Sequence, residues 1–160
     1  MMDKSEFTAA VLEAEPTLYR VAKAMLGSEH DCADAAQQAI LRAWEQLGTL
    51  RNPRYFKTWL TRILINECSA ILRLRQRLAP YEPEQAEAIP APMPDDHSDL
   101  YAALLSLDEK YRLPMVLYYL EGFKTREIAA LLGVPEGTVK SRLRTARELL
   151  RKDLKGACFA

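Results

Sequence analysis

Residues Thr125 to Arg147 read Thr-Arg-Glu-Ile-Ala-Ala-Leu-Leu-Gly-Val-Pro-Glu-Gly-Thr-Val-Lys-Ser-Arg-Leu-Arg-Thr-Ala-Arg. The pattern predicts two short helices joined by a tight turn. In the first, Ile128, Ala129, Leu131 and Leu132 cluster on one side, and Thr125 stands at the N-cap position. Gly133 supplies a residue able to turn left-handed at a helix end, and Ala129 and Gly133 are small enough to let two helices cross closely. Pro135 cannot extend the first helix, yet its fixed φ suits entry to a second. There Val139, Leu143, Ala146 and Leu150 recur at spacings of four, three and four, one buried stripe. Between them lie Lys140, Ser141, Arg142, Arg144 and Thr145, a face of donors with no acid among them. A helix–turn–helix with a basic, hydroxyl-bearing face has what reading a DNA major groove requires.

Outward from this motif, the pattern continues through Glu148-Leu149-Leu150-Arg151-Lys152 and fades near Gly156. Upstream, a helix is expected over 100–107, and another follows Leu107-Asp108-Glu109-Lys110-Tyr111-Arg112, with Pro114 near its start and Gly122 at its end. Residues 80–99 differ in kind: five prolines and six acids fall in twenty residues. Such a segment cannot bury enough apolar surface to fold and is expected to be an extended linker.

The first half shows only helical periods. A short helix and then a longer one from Pro16 are expected, closed by Gly27-Ser28. Asp31 or Asp34 can cap the next, from Ala35 to Leu47, with Ile40, Leu41, Trp44 and Leu47 inward. Leu50-Arg51-Asn52-Pro53-Arg54 has turn chemistry. A long helix from Tyr55 to Arg77 places Phe56, Trp59, Leu60, Ile63, Leu64, Ile71 and Leu74 on one stripe. The fold class is therefore all-α: two small helical domains, 1–79 and 100–160, joined by the Pro-rich acidic linker 80–99. Each has a marginal core, so a partner surface is expected to help hold it.

The 160 residues carry 22 basic and 22 acidic side chains, so no whole-molecule field draws the chain to nucleic acid. The neutral total hides a block of +2 over 1–78, one of −6 over 79–99 and one of +4 over 100–160. Cys32, Cys68 and Cys158 form no CxxC pair, which points to a reducing compartment. His30 and Cys32 alone cannot build a metal site. The absence of an apolar run of spanning length or a leader points to a cytoplasmic protein without membrane insertion. No nucleophile–base pair or phosphate loop is visible, so neither catalysis nor a cofactor is expected.

Two stretches carry a family resemblance. Residues from Leu107-Asp108-Glu109-Lys110-Tyr111-Arg112 through Glu127-Ile128-Ala129 to Gly137-Thr138-Val139-Lys140-Ser141-Arg142-Leu143 resemble region 4 of bacterial sigma factors. Asp31-Cys32-Ala33-Asp34-Ala35-Ala36-Gln37-Gln38 with Arg42-Ala43-Trp44, then Phe56-Lys57-Thr58-Trp59-Leu60-Thr61-Arg62-Ile63 and Asn66, resemble region 2. With only these two regions, the chain resembles the extracytoplasmic-function (ECF) group. The resemblance implies binding to core RNA polymerase and recognition of two promoter elements. It also implies restraint by an anti-sigma factor, often membrane-anchored, in an envelope or extracytoplasmic stress response.

Residue by residue, it implies a polymerase-docking helix with Asp31, Asp34, Ala35, Gln38, Leu41 and Arg42. Here the chain departs from the family, with Ala35, Ala36 and Gln38 in place of a larger aliphatic pair and a Glu. That departure bears on the strength of the contact and not on its location. For the −35 element the candidates are Arg126, Thr138, Lys140, Ser141, Arg142, Arg144 and Thr145, with Lys124 and Arg126 nearer phosphate than base. For the −10 element, a flipped base and its backbone need a pocket and donors. Arg51, Asn52, Arg54 and Tyr55 fit that position, and Asn66, Arg73, Arg75 and Arg77 the adjacent duplex. Trp44 and Trp59 read as core, and Arg147 and Arg151 as solvated charges. The acidic linker is expected to occupy a basic channel until the transcript displaces it, or to be a simple spacer. Two other readings remain open: a transcriptional regulator with a sensor domain, and a helical adaptor that binds only protein.

Overall fold

The computed structural model describes residues 2–78 and 98–158, with side chains up to Lys152 except those of 98, 99 and 101. Among them no strand occurs. The chain divides into two compact units, 1–87 and 88–160. Most of the expected linker lies outside the described residues.

The first unit packs three helices, each against the other two. Helix α1, Lys4–Leu26, starts with a reciprocal cap. The Asp3 carboxylate accepts from the Glu6 N–H at 2.8 Å, and Glu6 accepts from the Asp3 N–H at 3.3 Å. Pro16 does not divide it, contrary to the sequence expectation. Pro16 is exposed, and the carbonyl it cannot serve belongs to Leu12, which is also exposed. One lost hydrogen bond is outweighed by burial on both sides, at Phe7 and Ala14 before it and Leu18, Val21 and Ala22 after it. Gly27, at φ 77°, ends the helix.

Helix α2, Glu29–Glu45, begins six residues earlier than expected and is capped by Ser28, whose hydroxyl accepts from the Asp31 N–H at 3.4 Å. Its buried positions are Cys32, Ala35, Ala39 and Ala43. The periodicity puts Ile40, Leu41, Trp44 and Leu47 inward, but of these only Leu47 is buried. An alanine face lets α2 lie close against α1 and α3, so its large residues turn outward. Leu41 is 51% exposed and Trp44 45%. Trp44 is thus not core: its ring packs edgewise with Phe7, 5.1 Å between centroids, and the side chain stays partly in solvent.

Two 3₁₀ turns, Leu47–Thr49 and Pro53–Tyr55, lead into α3, Phe56–Arg77. Leu60, Ile63, Leu64 and Cys68 bury its inner face. Leu74, expected on that stripe, is 55% exposed near the end of the helix.

The second unit holds α4 (Ser98–Leu105), α5 (Glu109–Met115), α6 (Thr125–Leu132) and α7 (Glu136–Cys158). Pro114 lies near the end of α5 rather than its start. Just beyond it the chain widens into a π turn, Val116–Leu120, where the Glu121 N–H donates to the Val116 carbonyl at 3.1 Å. Gly122 (φ 74°) closes that turn. The expected stripe of α7, Val139, Leu143, Ala146 and Leu150, is buried and meets Ile128 and Leu131 of α6 in the same core. Helix α7 runs on through Gly156.

Candidate nucleic-acid interface

The helix–turn–helix is α6, the turn at Gly133 and α7. Gly133 has φ 67° and ψ 34°, the left-handed region, and a Cβ there would meet nothing within 4 Å. It is required for backbone conformation, not for close helix approach. Thr125 is not the N-cap. Lys124 holds that position, its N–H donating to the Glu127 carboxylate at 3.0 Å, while the Thr125 hydroxyl donates to Glu136 on α7 at 2.8 Å.

The buried stripe of α7 fixes where its donors point. Ser141 and Arg144 stand opposite the core, exposed. Thr138, Arg142 and Thr145 lie on one flank, where with Ser141 and Gly137 they line an open cleft of about 350 Å³ against Lys110 and Tyr111 of α5. The Lys110 ammonium sits 4.9 Å from the centre of the neighbouring Tyr111 ring, and both residues line the cleft. Lys140 and Arg147 occupy the other flank. Lys140 lies 3.7 Å from Glu136, and Arg147 donates to the Tyr119 hydroxyl at 2.9 Å rather than standing as a plain solvated charge. Arg126 is exposed in the first turn of α6. Six of the seven sequence candidates therefore gather on one helix surface, and Lys110 and Tyr111 are additions. No local pattern marks Lys110; only the packing of α5 on α7 brings it there.

In the first unit, Arg51, Arg54 and Tyr55 are exposed on the loop before α3, with Tyr55 at 61%. The Asn52 side-chain oxygen accepts from the Arg54 N–H at 3.0 Å, so Asn52 shapes the turn. Along α3, Asn66, Arg73 and Arg77 fall at spacings of seven and four and share one exposed face. Arg62, four residues before Asn66, is exposed on the same row and was not anticipated. Trp59 is half-buried beside Phe56, 5.8 Å between centroids.

Arg75 departs from the row. It pairs with Asp31 on α2 and donates to the Leu26 carbonyl at 3.0 Å. Asp31 is in turn taken up within the domain. Arg42 forms an ion pair with Glu67 of α3. Ala35 is fully buried, so its methyl packs the core and cannot present itself to a partner. What remains outward on α2 is Asp34, Gln38 and Leu41, at helical spacings of four and three, beside the exposed part of Arg42.

Glu29, at the start of α2, accepts from the Tyr19 hydroxyl at 2.6 Å and from Lys23 at 3.3 Å. The Tyr19 bond above all holds its carboxyl below the usual carboxylate value. Burial pushes the Cys32 thiol up to about 11. No cluster of three or more metal-ligating side chains occurs among the described residues.

Residues 11–78 match the family described as Sigma-70 region 2, and residues 97–150 match Sigma-70, region 4. The RNA polymerase sigma factor SigV of Bacillus subtilis is 30% identical, with 96% of each chain covered. The ECF RNA polymerase sigma factor SigW of the same organism is 31% identical, over 96% of this chain and 91% of its own. The chain belongs to the ECF sigma factors.

Its fold agrees with that membership. The sigma factor RpoE of Bartonella quintana, solved with the anti-sigma factor NepR, superposes with a TM-score of 0.81 at 27% identity, covering 94% of this chain and 97% of its own. CnrH, solved with the cytosolic domain of CnrY, gives 0.70 at 25% identity. Region 2 of this sigma factor is the three-helix unit, and region 4 ends in the helix–turn–helix. Among the described residues no helix is long and apolar enough to cross a membrane.

Proposed function

We propose that this sigma factor binds core RNA polymerase and directs it to promoters with two separated elements. The observation that supports this most is the surface of α7, where hydroxyl and cationic donors surround a face free of apolar bulk, in a chain of this family. Helix α7 enters the major groove of the −35 element. Lys140, Arg142 and Arg144 reach base edges or phosphates, Ser141, Thr138 and Thr145 make shorter contacts, and Arg126 touches backbone. A good bidentate base contact discriminates by about 1–3 kcal/mol. Lys110, across the cleft from Arg142, adds a phosphate contact from outside the motif.

The −10 strand is taken by the loop with Arg51, Asn52, Arg54 and Tyr55, where the exposed phenol offers a stacking surface. Arg62, Asn66, Arg73 and Arg77 track the adjacent backbone. Asp34, Gln38, Leu41 and Arg42 form the polymerase-docking face, and Leu41 is its apolar anchor. An anti-sigma factor restrains the protein in the cytoplasm, a reading supported by the two structural neighbours solved with partners of that kind or with a cytosolic domain.

The test separates docking from reading. Lys140→Ala and Arg144→Ala are expected to lose promoter-directed transcription while binding core with wild-type affinity. Loss of core binding by these variants contradicts the division of labour.

A further inference from the structure

Within the first twelve residues of α7, Glu136 is the only acid. It stands at the first position of the helix, where an acid also suits the helix dipole. A single carboxylate oxygen of Glu136 accepts from the Thr125 hydroxyl at 2.8 Å and lies 3.7 Å from the Lys140 ammonium one turn on. Both charged side chains are substantially exposed, 45% for Glu136 and 65% for Lys140. The Thr125 bond fixes the carboxylate against α6, and the carboxylate in turn attracts Lys140.

We infer that Glu136 is a specificity-determining positioning residue that biases Lys140 toward base edges and away from phosphates. The inference rests on the reading of α7 as the −35 helix. An exposed i,i+4 pair is weak, so a competing acceptor can displace it. If Lys140 bonds a phosphate, the Glu136 carboxylate comes to lie beside a second anion, and repulsion opposes the contact. A guanine edge offers neutral acceptors. An ammonium has three donors, so Lys140 can keep Glu136 and bond the base together. Glu136 therefore weakens binding to arbitrary duplex more than binding to the right one.

The test uses holoenzymes reconstituted from core polymerase and four chains: wild type, Glu136→Gln, Lys140→Ala and the double variant. The probes are a promoter duplex selected by the wild-type holoenzyme and a duplex of randomised sequence, each titrated over a range of KCl. Glu136→Gln keeps an oxygen for the Thr125 hydroxyl and removes only the charge. It is expected to steepen the log K against log salt slope on randomised duplex by about 0.9, the value of one added phosphate contact. Near 0.15 M salt that corresponds to about fivefold tighter binding to the randomised duplex, with a lower promoter-to-random ratio. In the Lys140→Ala background both changes are expected to vanish. An unchanged slope overturns the inference, and so does an equal gain without Lys140, which marks general charge repulsion. If selection by the wild-type holoenzyme enriches no duplex over the randomised one, it is the −35 reading that fails.

Discussion

Arg75, near the end of α3, is ion-paired with Asp31 in the first turn of α2, and its guanidinium also bonds the Leu26 carbonyl at 3.0 Å. Taken singly, one reads as a DNA contact and the other as a polymerase contact. Together they tie the three helices of region 2 to each other. Arg75→Ala is expected to lower the stability of region 2 by about 1–2 kcal/mol, since a charge-assisted bond is lost and the Leu26 carbonyl loses its partner. Arg73→Ala and Arg77→Ala are expected to leave the denaturation midpoint unchanged while weakening promoter opening. Chemical denaturation of the three variants checks this, and equal stability losses would contradict it.

The inward face of α2 is alanine and cysteine, and its outward face carries Leu41. Ala35→Leu forces a large side chain into a site with no room and is expected to cost about 1–3 kcal/mol. Leu41→Ala is expected to be nearly neutral for folding and to weaken core polymerase binding several-fold. Thermal unfolding and titration against core polymerase distinguish the two.

Glu29 joins the end of α1 to the start of α2 through Tyr19 and Lys23. Its carboxyl is held below the usual carboxylate value, with the Tyr19 hydrogen bond the largest cause. Because the folded state prefers the charged form, the stabilisation is present above the unfolded value and is lost as pH falls through the folded one. Glu29→Gln is expected to remove stability at pH 7 and to show a flatter acid limb below about pH 4.5 than wild type. Unfolding midpoints between pH 3 and 7 measure the difference.

Cys32 and Cys68 are buried, and the Cys32 thiol is raised to about 11. At pH 7.5 Cys32 carries almost no thiolate, and burial closes access to both, so both are expected to resist a thiol reagent until the domain opens. In a Cys158→Ser background, labelling is expected to track denaturation. Rapid labelling of the native chain would contradict the packing.

Large aliphatic residues at helical spacing made the region 4 core legible from Val139 to Leu150. The same reasoning misplaced α2, because Ala35, Ala39 and Ala43 carry too little apolar signal to reveal a buried face. Pro16 reads as a break, yet burial on both sides of it decides otherwise. The site divides in the same way. Donors within one helix, Lys140 to Thr145, were visible in the local pattern. Asp31 with Arg75 and Arg42 with Glu67 were not, because such pairs join residues far apart in sequence. Lys110 was missed because it reaches the recognition helix only through the packing of α5.

The most direct measurement is transcription in vitro by core polymerase, with and without this chain, from a library of random upstream sequences. Start sites are read by sequencing the transcripts. The expected result is chain-dependent initiation at templates sharing two conserved elements at a fixed spacing, with the upstream one lost in Arg144→Ala. Start sites identical to those of core polymerase alone would contradict the assignment of this chain as the part that selects the promoter.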